Sequence, residues 1–337
     1  MCLLAIKQNS ISIKYIKNPT EEMCWEAIKQ DGRAIKFIRN PTKEMLIEAV
    51  KQNVWAIEYI NNPTNEICLY AVKRKSITIK YIDNPSEEVQ LEAVKNNANN
   101  IEYIKNPTKK VCLEAVKQNG NSIQFIKNPS EEVQLEAVKN NGNAIEYIVN
   151  PTDEIILEAI KTYGIAIKFL KNPSEQLQLE AVRQDGLAIE YIKNQTKEMQ
   201  LIAVKQNGYA IEYIENPTEE ICLESIKENY RIIQYIKKED QSFEIVEYFF
   251  KNYQKCNYRS PYLFKYLSKK FITKEQALFM IQEDINSINL VNKKLQDEII
   301  EMKPELEKYL KRRNTNNFNS DMSSPSKRYI MPRWLSS

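Results

Sequence analysis

The chain has 337 residues, of which 42% are hydrophobic and 28% charged, with no histidine and a formal net charge of only +3. The lack of histidine removes the commonest general base and the commonest metal ligand. No run of about 18 apolar residues is present, so no transmembrane helix is expected. The charge is uneven, because residues 311–337 carry a net +5 and residues 1–310 a net −2. Most of the chain therefore has no basic excess that would attract nucleic acid.

A 22-residue unit recurs without insertion from the first residues onward. Its marker is an asparagine, found at Asn18, Asn40, Asn62, Asn84, Asn106, Asn128, Asn150, Asn172, Asn194 and Asn216. Nine of these asparagines are followed by Pro, Gln195 being the exception, and all ten are then followed by Thr or Ser. A fixed period of this length is typical of a solenoid. Positions in the unit are numbered below from this asparagine as position 1.

Within each unit the pattern predicts two helical segments. Asn at position 1 is expected to cap the first helix and Pro at position 2 to begin it, with a buried stripe at positions 6, 7, 10 and 11 widened by position 8. All six glycines fall at position 15, where we expect a left-handed residue that ends this helix. Positions 16–22 predict a second helix of about two turns, or a 3₁₀ segment.

These elements predict an all-α fold: an α-solenoid of about eleven two-helix repeats over residues 1–238, since one unit is too small to fold alone. A degenerate helical C-terminal cap is expected over residues 239–312, and a disordered basic tail over 313–337. Met1 falls at position 6, so the first helix lacks its Asn-Pro-Thr start. This start suggests a truncated array, a longer protein, or an N-terminal face that pairs with another molecule.

The segment Asn-Pro-Ser-Glu-Glu-Val-Gln-Leu-Glu-Ala-Val-Lys at 128–139, continued by Gly-Asn-Ala-Ile-Glu-Tyr-Ile at 142–148, carries a resemblance. It resembles an uncharacterised helical repeat family that recurs in giant amoeba viruses and AT-rich bacteria. The resemblance extends over residues 1 to about 238 and implies an α-solenoid, but no activity and no catalytic residue. More loosely, the unit resembles HEAT-type and variant leucine-rich repeats. That likeness implies binding of proteins and, in some members, of nucleic acids.

Position 16 varies most among the units, whereas the packing positions change little. A scaffold varies its recognition positions, so position 16 is the candidate partner-binding position. Apolar, aromatic and arginine side chains there suit a protein interface. They are Trp55, Ile165, Leu187, Tyr209 and Arg231. Of these, Ile165, Leu187, Tyr209 and Arg231 are expected to lie side by side.

An alternative function rests on a basic ladder at position 12. Its members are Lys29, Lys51, Lys73, Lys95, Lys117, Lys139, Lys161, Arg183 and Lys205, with Lys7 and Lys227 at the ends. Such a ladder suits a nucleic-acid backbone, but Glu stands three residues earlier in most units. We therefore expect salt bridges between positions 9 and 12 to compensate the charge.

Three further features are interpreted as structural. An aromatic residue at position 20 of every unit is expected in the core, and cysteine at position 7 is expected as buried packing. The segment Tyr258–Phe264 is similar to the Tyr-x4-Leu-apolar peptide by which partners dock on the cap-binding translation initiation factor. That similarity gives a second alternative, a translation-related scaffold, although chance explains so short a match.

The resulting hypothesis is a non-enzymatic protein–protein interaction scaffold whose partner is another protein. Six cysteines without metal-ligand spacing suit a reducing compartment, so a cytoplasmic location is expected, in the case of a virus the host cytoplasm. No cofactor, metal, membrane or small-molecule substrate is expected.

Overall fold

The computed structural model describes residues 2–227, 229–256 and 259–311. The tail expected over residues 313–337 lies outside the described residues, as does Tyr258. Two compact units make up the chain, the first ending at Glu180 and the second beginning at Ala181. No strand occurs in the described ranges, which confirms the predicted all-α solenoid. Within the same ranges, no helix has both the length and the hydropathy needed to cross a bilayer.

The first unit alternates α-helices with six-residue 3₁₀ helices, labelled η. The α-helices are α1 Cys2–Gln8, α2 Glu21–Gln30, α3 Lys43–Gln52, α4 Asn65–Arg74, α5 Glu87–Asn96, α6 Lys109–Gln118, α7 Glu131–Asn140 and α8 Asp153–Thr162. The 3₁₀ helices are η1 Ser10–Tyr15, η2 Gly32–Phe37, η3 Val54–Tyr59, η4 Ser76–Tyr81, η5 Ala98–Tyr103, η6 Gly120–Phe125, η7 Gly142–Tyr147 and η8 Gly164–Phe169. Helix α9, Glu175–Gln184, includes the boundary between the units.

The second unit continues the alternation and then departs from it. Its regular elements are η9 Gly186–Tyr191, α10 Lys197–Gln206, η10 Gly208–Tyr213, α11 Glu219–Ile226 and η11 Tyr230–Gln234. The remaining elements are η12 Lys238–Asp240, α12 Phe243–Tyr253, η13 Pro261–Tyr266, α13 Lys274–Glu283, η14 Ile285–Leu290, α14 Lys293–Met302, η15 Pro304–Leu306 and α15 Glu307–Lys311. Helices α13 and η14 have the ten- and six-residue lengths of a regular repeat, so the helical pattern reappears near the end of the described chain.

The α-helix begins at position 4, two residues later than the sequence predicted. Its N-cap is the Thr or Ser at position 3: the Thr42 hydroxyl accepts a hydrogen bond from the Met45 N–H at 3.2 Å. The recurrent asparagine instead forms the preceding turn. Five copies have φ between 50° and 53°, a left-handed conformation that asparagine tolerates better than most residues: Asn62, Asn84, Asn128, Asn150 and Asn216.

The glycine at position 15 is the first residue of the 3₁₀ helix, and none of the described glycines has a positive φ. The predicted left-handed terminus is therefore wrong. A Cβ on Gly32 would overlap the Ala49 carbonyl oxygen of the next repeat, and one on Gly120 would overlap that of Ala137. At these two positions the backbones of neighbouring repeats approach too closely to leave room for a Cβ atom.

The repeats stack in two layers, one of α-helices and one of 3₁₀ helices. Within the first unit, each α-helix from α1 to α7 packs on the next α-helix and on the flanking 3₁₀ helices. Within the second unit, α10 packs on α11 and α11 on α12. The core between the layers comes from positions 10, 11, 18 and 21; in one repeat these are Ala93, Val94, Ile101 and Ile104, all buried. Position 10 is alanine in most repeats. Because the alanine side chain is a single methyl group, it lets adjacent α-helices pack closely.

The last two residues of the segment similar to a docking peptide belong to the core of the second unit. Leu263 and Phe264 are buried in η13, and the Phe264 ring stacks 6.0 Å from that of Phe250. A partner could reach Leu263 and Phe264 only if this part of the fold opened.

Candidate functional site

In the regular repeats, one side of each 3₁₀ helix faces the core and the other faces solvent. With three residues per turn, positions 15 and 18 share a side, and position 17 is also buried. Positions 16, 19 and 20 point outward; in η10 these are Tyr209, Glu212 and Tyr213. The exposed positions 16, 19 and 20 of successive repeats are called here the 3₁₀ face.

The predicted partner-binding residues all lie on the 3₁₀ face. Trp55, Tyr209 and Arg231 are exposed, whereas Ile165 and Leu187 are half-buried. Ile165 belongs to the first compact unit, while Leu187, Tyr209 and Arg231 occupy successive repeats of the second.

Position 16 of one repeat meets position 20 of the next. The rings of Trp55 and Tyr81 pack edge to face with centroids 6.3 Å apart, and those of Tyr209 and Tyr235 do so at 5.5 Å. Such pairs hold large side chains in place at the surface while leaving part of each ring accessible.

The sequence predicts that position 20 lies in the core, and this holds only in part. Half-buried rings at this position pack against the core in five repeats: Phe37, Tyr59, Tyr81, Phe125 and Phe169. Other rings at this position are more exposed. Tyr103, Tyr147 and Tyr213 are 40%, 39% and 36% exposed. The reason is geometric: in a 3₁₀ helix, positions 18 and 21 share one side, and isoleucines there fill the core. Position 20 shares a side with the buried position 17, so its ring lies at the edge of the core with part of its surface accessible. The result is a row of partly exposed aromatic rings on the 3₁₀ face.

Charge on the 3₁₀ face is set by position 19, which is lysine in some repeats and glutamate in others. The Lys36 ammonium lies 4.7 Å from the ring centroid of Tyr59 in the following repeat. Lys80 and Lys168 lie equally close to their own neighbours Tyr81 and Phe169. These are cation–π contacts made within the chain.

Two tyrosines on the 3₁₀ face have raised pKa values. The pKa of Tyr59 is raised by partial burial and then by the charge of Glu58, although nearby Arg33 opposes the shift. The pKa of Tyr213 is raised first by Glu190, then by partial burial and by Glu212. The surroundings of Tyr213 are therefore electronegative.

Two polar positions that the sequence reading did not interpret support this face. Asn or Asp at position 14 caps the 3₁₀ helix: Asn207 Oδ1 accepts from the Tyr209 N–H at 3.0 Å, and Asn229 does the same for Arg231. Each cap fixes the backbone at position 16. The recurrence of Asn or Asp directly before position 15 is the sequence pattern that predicts this cap.

Position 13 carries an amide that joins successive repeats. Gln52 Nε2 donates to the Gln30 carbonyl at 3.0 Å, and Gln52 Oε1 accepts from the Gly32 N–H. Asn140 makes the matching pair of bonds to the Lys117 carbonyl and the Gly120 N–H. The amide thus satisfies groups left open at the junction of the two helices.

The basic ladder lies on the α layer and is exposed throughout. The expected salt bridges between positions 9 and 12 are largely absent: of the described residues, only Lys227 and Glu224 form one, and Arg183 pairs instead with Glu198 of the next repeat at 3.6 Å. Two glutamates at position 9 instead accept from the amide four residues later: Glu26 from Gln30 Nε2 at 3.2 Å and Glu92 from Asn96 Nδ2 at 3.1 Å.

The cysteines at position 7 do not form a reactive site. Cys24, Cys68, Cys112 and Cys222 are buried free thiols, and Cys2 is exposed. Burial raises the pKa of all four buried thiols, to about 12 for Cys222. Among the residues that the structure describes, no group of three or more metal-ligating side chains is close enough to hold an ion.

The first unit also has two clefts between successive Asn-Pro turns. One of about 550 Å³ is lined by Glu102, Tyr103 and Phe125, and one of about 830 Å³ by Glu146 and Phe169. Their equivalent linings lie 44 residues apart, or two repeats.

Paired α- and 3₁₀ helices that stack with a 22-residue period define the protein as an α-solenoid with an exposed aromatic face. The chain belongs to the family described as Domain of unknown function (DUF4116), whose model matches residues 20–65, 86–129, 130–173 and 174–216. These matches together cover just over half of the chain, and each spans about two repeats. No curated protein and no solved structure is significantly similar to the chain.

Proposed function

We propose that the protein is a non-catalytic scaffold that binds another protein through the 3₁₀ face. The observation that carries this proposal is the row of partly exposed aromatic rings at positions 16 and 20, above a core whose composition hardly changes. Aromatic and arginine side chains dominate the energy of protein interfaces. Their pairing across repeats also lowers the entropy lost on binding, because the rings are already ordered.

The chemistry of the described residues supports binding rather than catalysis. The sequence has no histidine, and the buried cysteines have raised pKa values that keep them as unreactive thiols. The two clefts are open features of a repeated surface, lined by side chains that recur in other repeats.

The test is crosslinking mass spectrometry in the native cell, comparing the wild type with a 3₁₀-face variant. That variant combines Trp55→Ser and Tyr209→Ser, both at exposed positions. The matched control combines Lys51→Ser and Lys205→Ser, which lie on the α layer of the same repeats. We expect the face variant to lose partner crosslinks by about tenfold or more and the control to retain them. Equal crosslinks in both variants would contradict the proposal.

A second candidate function, nucleic-acid binding by position 12, is favoured by one observation. Apart from Arg183 and Lys227, the ladder cations in the described ranges have no carboxylate within ion-pair distance. A filter-binding titration against salt tests it. Affinity that falls steeply with salt, and that is lost in a Lys95→Glu, Lys117→Glu, Lys139→Glu variant, would support this function. Affinity independent of those lysines would exclude the ladder.

A further inference from the structure

One tyrosine of the 3₁₀ face already holds a cation from its own chain. Lys36, at position 19 of one repeat, places its ammonium 4.7 Å from the Tyr59 ring of the next repeat. Glu58 and Arg33 are close enough to Tyr59 to affect its pKa. Ring, carboxylate and cation together form a filled cation-binding box, called here the Tyr59 box.

The same positions around Tyr213 carry no cation. Glu190 stands where Lys36 stands, Leu187 where Arg33 stands, and Glu212 where Glu58 stands. The Tyr213 ring is 36% exposed, and Glu190 and Glu212 both act on it electrostatically. Over the part of the chain that the structure describes, no lysine or arginine pairs with either carboxylate, and none lies over this ring. The group Glu190, Glu212 and Tyr213 is called here the Tyr213 box.

Two ordered rings occupy adjoining positions of the 3₁₀ face. Tyr235 in the next repeat is near enough to influence Tyr213, and its own ring packs 5.5 Å from that of Tyr209. Tyr209 is in turn held by the Asn207 cap and by a hydrogen bond that its hydroxyl accepts from Asn229 Nδ2 at 3.3 Å. Tyr209 and Tyr235 are therefore held by contacts within the chain.

We infer that the Tyr213 box binds a lysine or arginine side chain of the partner protein, in the place that Lys36 takes in the Tyr59 box. This inference rests on the proposed function and names the chemistry of its partner, a segment bearing a basic side chain. Two carboxylates supply the charge complementarity, and the exposed ring face supplies a cation–π contact. Glu146 and Tyr147 form a weaker copy, because Gln124 stands there in place of Glu190.

The structure also supplies a matched exchange of charges as the test. Glu190→Lys places a lysine at the position equivalent to Lys36, so this lysine is expected to lie over the Tyr213 ring and occupy the box. Lys36→Glu removes the cation over the Tyr59 ring, so the Tyr59 box is expected to become available to an added cation. Glu219→Lys on α11 carries the same charge change as Glu190→Lys on the other layer and serves as the control.

The probe is a short Gly-Ser peptide with one central arginine, compared with the same peptide carrying neutral citrulline. Binding to the full-length protein is followed by the NMR signals of labelled tyrosine rings, with Tyr213 assigned by Tyr213→Phe. We expect the arginine peptide to shift the Tyr213 signals and the citrulline peptide to shift them at least about threefold less. Glu190→Lys should weaken arginine binding about 3- to 30-fold, and Glu219→Lys should leave it unchanged. Lys36→Glu should create a new arginine-dependent shift at Tyr59.

Equal shifts from the two peptides, or unchanged binding in Glu190→Lys, would overturn the inference. A third outcome would also overturn it: the peptide does not shift the Tyr213 signals, and these signals show contacts with residues from Arg312 onward. The basic tail of this chain would then occupy the box. Crosslinking of Glu190→Lys in the native cell separates this inference from the proposed function. Suppose that partner crosslinks are retained in Glu190→Lys but lost in the Trp55→Ser, Tyr209→Ser variant. This result would support the scaffold proposal and contradict the inference about the Tyr213 box.

Discussion

At the scale of single residues, a ladder of amides runs along the 3₁₀ layer and stops at Tyr163. Asn119 Nδ2 donates to Asn99 Oδ1, and Asn141 Nδ2 donates to Asn121 Oδ1, both at 3.1 Å. The next donor would stand at position 163, where the chain has tyrosine. A buried acceptor, Asn143 Oδ1, is left without a partner in consequence.

Tyr163→Asn should restore the ladder. The new amide would donate to Asn143 Oδ1 and would cap η8, which has no side-chain cap. We expect the free energy of unfolding to rise by about 1 kcal/mol, measured by urea denaturation. Tyr163→Ala is the control, since it removes the ring without adding an amide. Equal stability of the two variants would show that the missing amide is not the cause.

The residue that breaks the Asn-Pro pattern has a structural reason. Gln195 replaces proline at position 2, and its Nε2 donates to the Tyr213 carbonyl at 2.8 Å and to the Ile189 carbonyl at 3.2 Å. These bonds join neighbouring repeats of the second unit beside the Tyr213 box.

Gln195→Pro should destabilise the protein even though it restores the consensus of the other repeats. Proline would lower the entropy of the unfolded chain by about 0.4–1 kcal/mol in favour of folding. Two lost hydrogen bonds at about 0.5–1.5 kcal/mol each outweigh that gain, so a net loss of about 1 kcal/mol is expected. The change in stability is measured by thermal denaturation of the variant and the wild type. A higher Tm for the variant than for the wild type would contradict this prediction.

At the scale of elements, the amide at position 13 is the polar link between repeats. Gln52→Leu would remove two inter-repeat hydrogen bonds and is expected to cost about 2 kcal/mol. Gln30→Leu is the matched control, because the hydrogen bond that the Gln30 side chain makes within the described residues is to Glu26 in its own helix. Its expected cost is below about 0.5 kcal/mol, and urea denaturation of both variants compares them. Similar losses would mean that helix packing, not the amide, sets the cost.

The sequence was sufficient to predict the helix pair and its core because both follow from spacing. Alanine at position 10 and the β-branched residue at position 11 recur at helical intervals, and both are buried, as Ala93 and Val94 show. The cap was placed two residues too early because Asn at position 1 and Thr at position 3 can both cap a helix. Only the backbone shows that the asparagine is taken by a left-handed turn.

The exposed aromatic row was missed for a different physical reason. Tyr and Phe interchange at position 20 and have isoleucine nearby, a pattern that also describes a core position. Whether the ring points inward depends on the number of residues per turn, which composition does not report. The amide links were missed because their partners lie about 20 residues away, in the next repeat.

At the scale of the whole molecule, stability is distributed along the chain rather than concentrated in one core. Within each unit, the main contacts of the described helices are with elements of the same or an adjacent repeat, so energies are expected to add between adjacent repeats. A substitution should therefore weaken its own surroundings without weakening repeats farther along.

Val94→Ala tests this locality in the first unit. Val94 is fully buried in α5, and its truncation should cost about 2 kcal/mol. Amide hydrogen exchange in α4, α5 and α6 should become about thirtyfold faster, while exchange in α2 and α8 stays as in the wild type. Lys95→Ala, the exposed neighbour, is the control and should change neither group. Uniform acceleration from α2 to α8 would mean that the first unit unfolds as one block, and a partner bound at one repeat would then stabilise all of them equally.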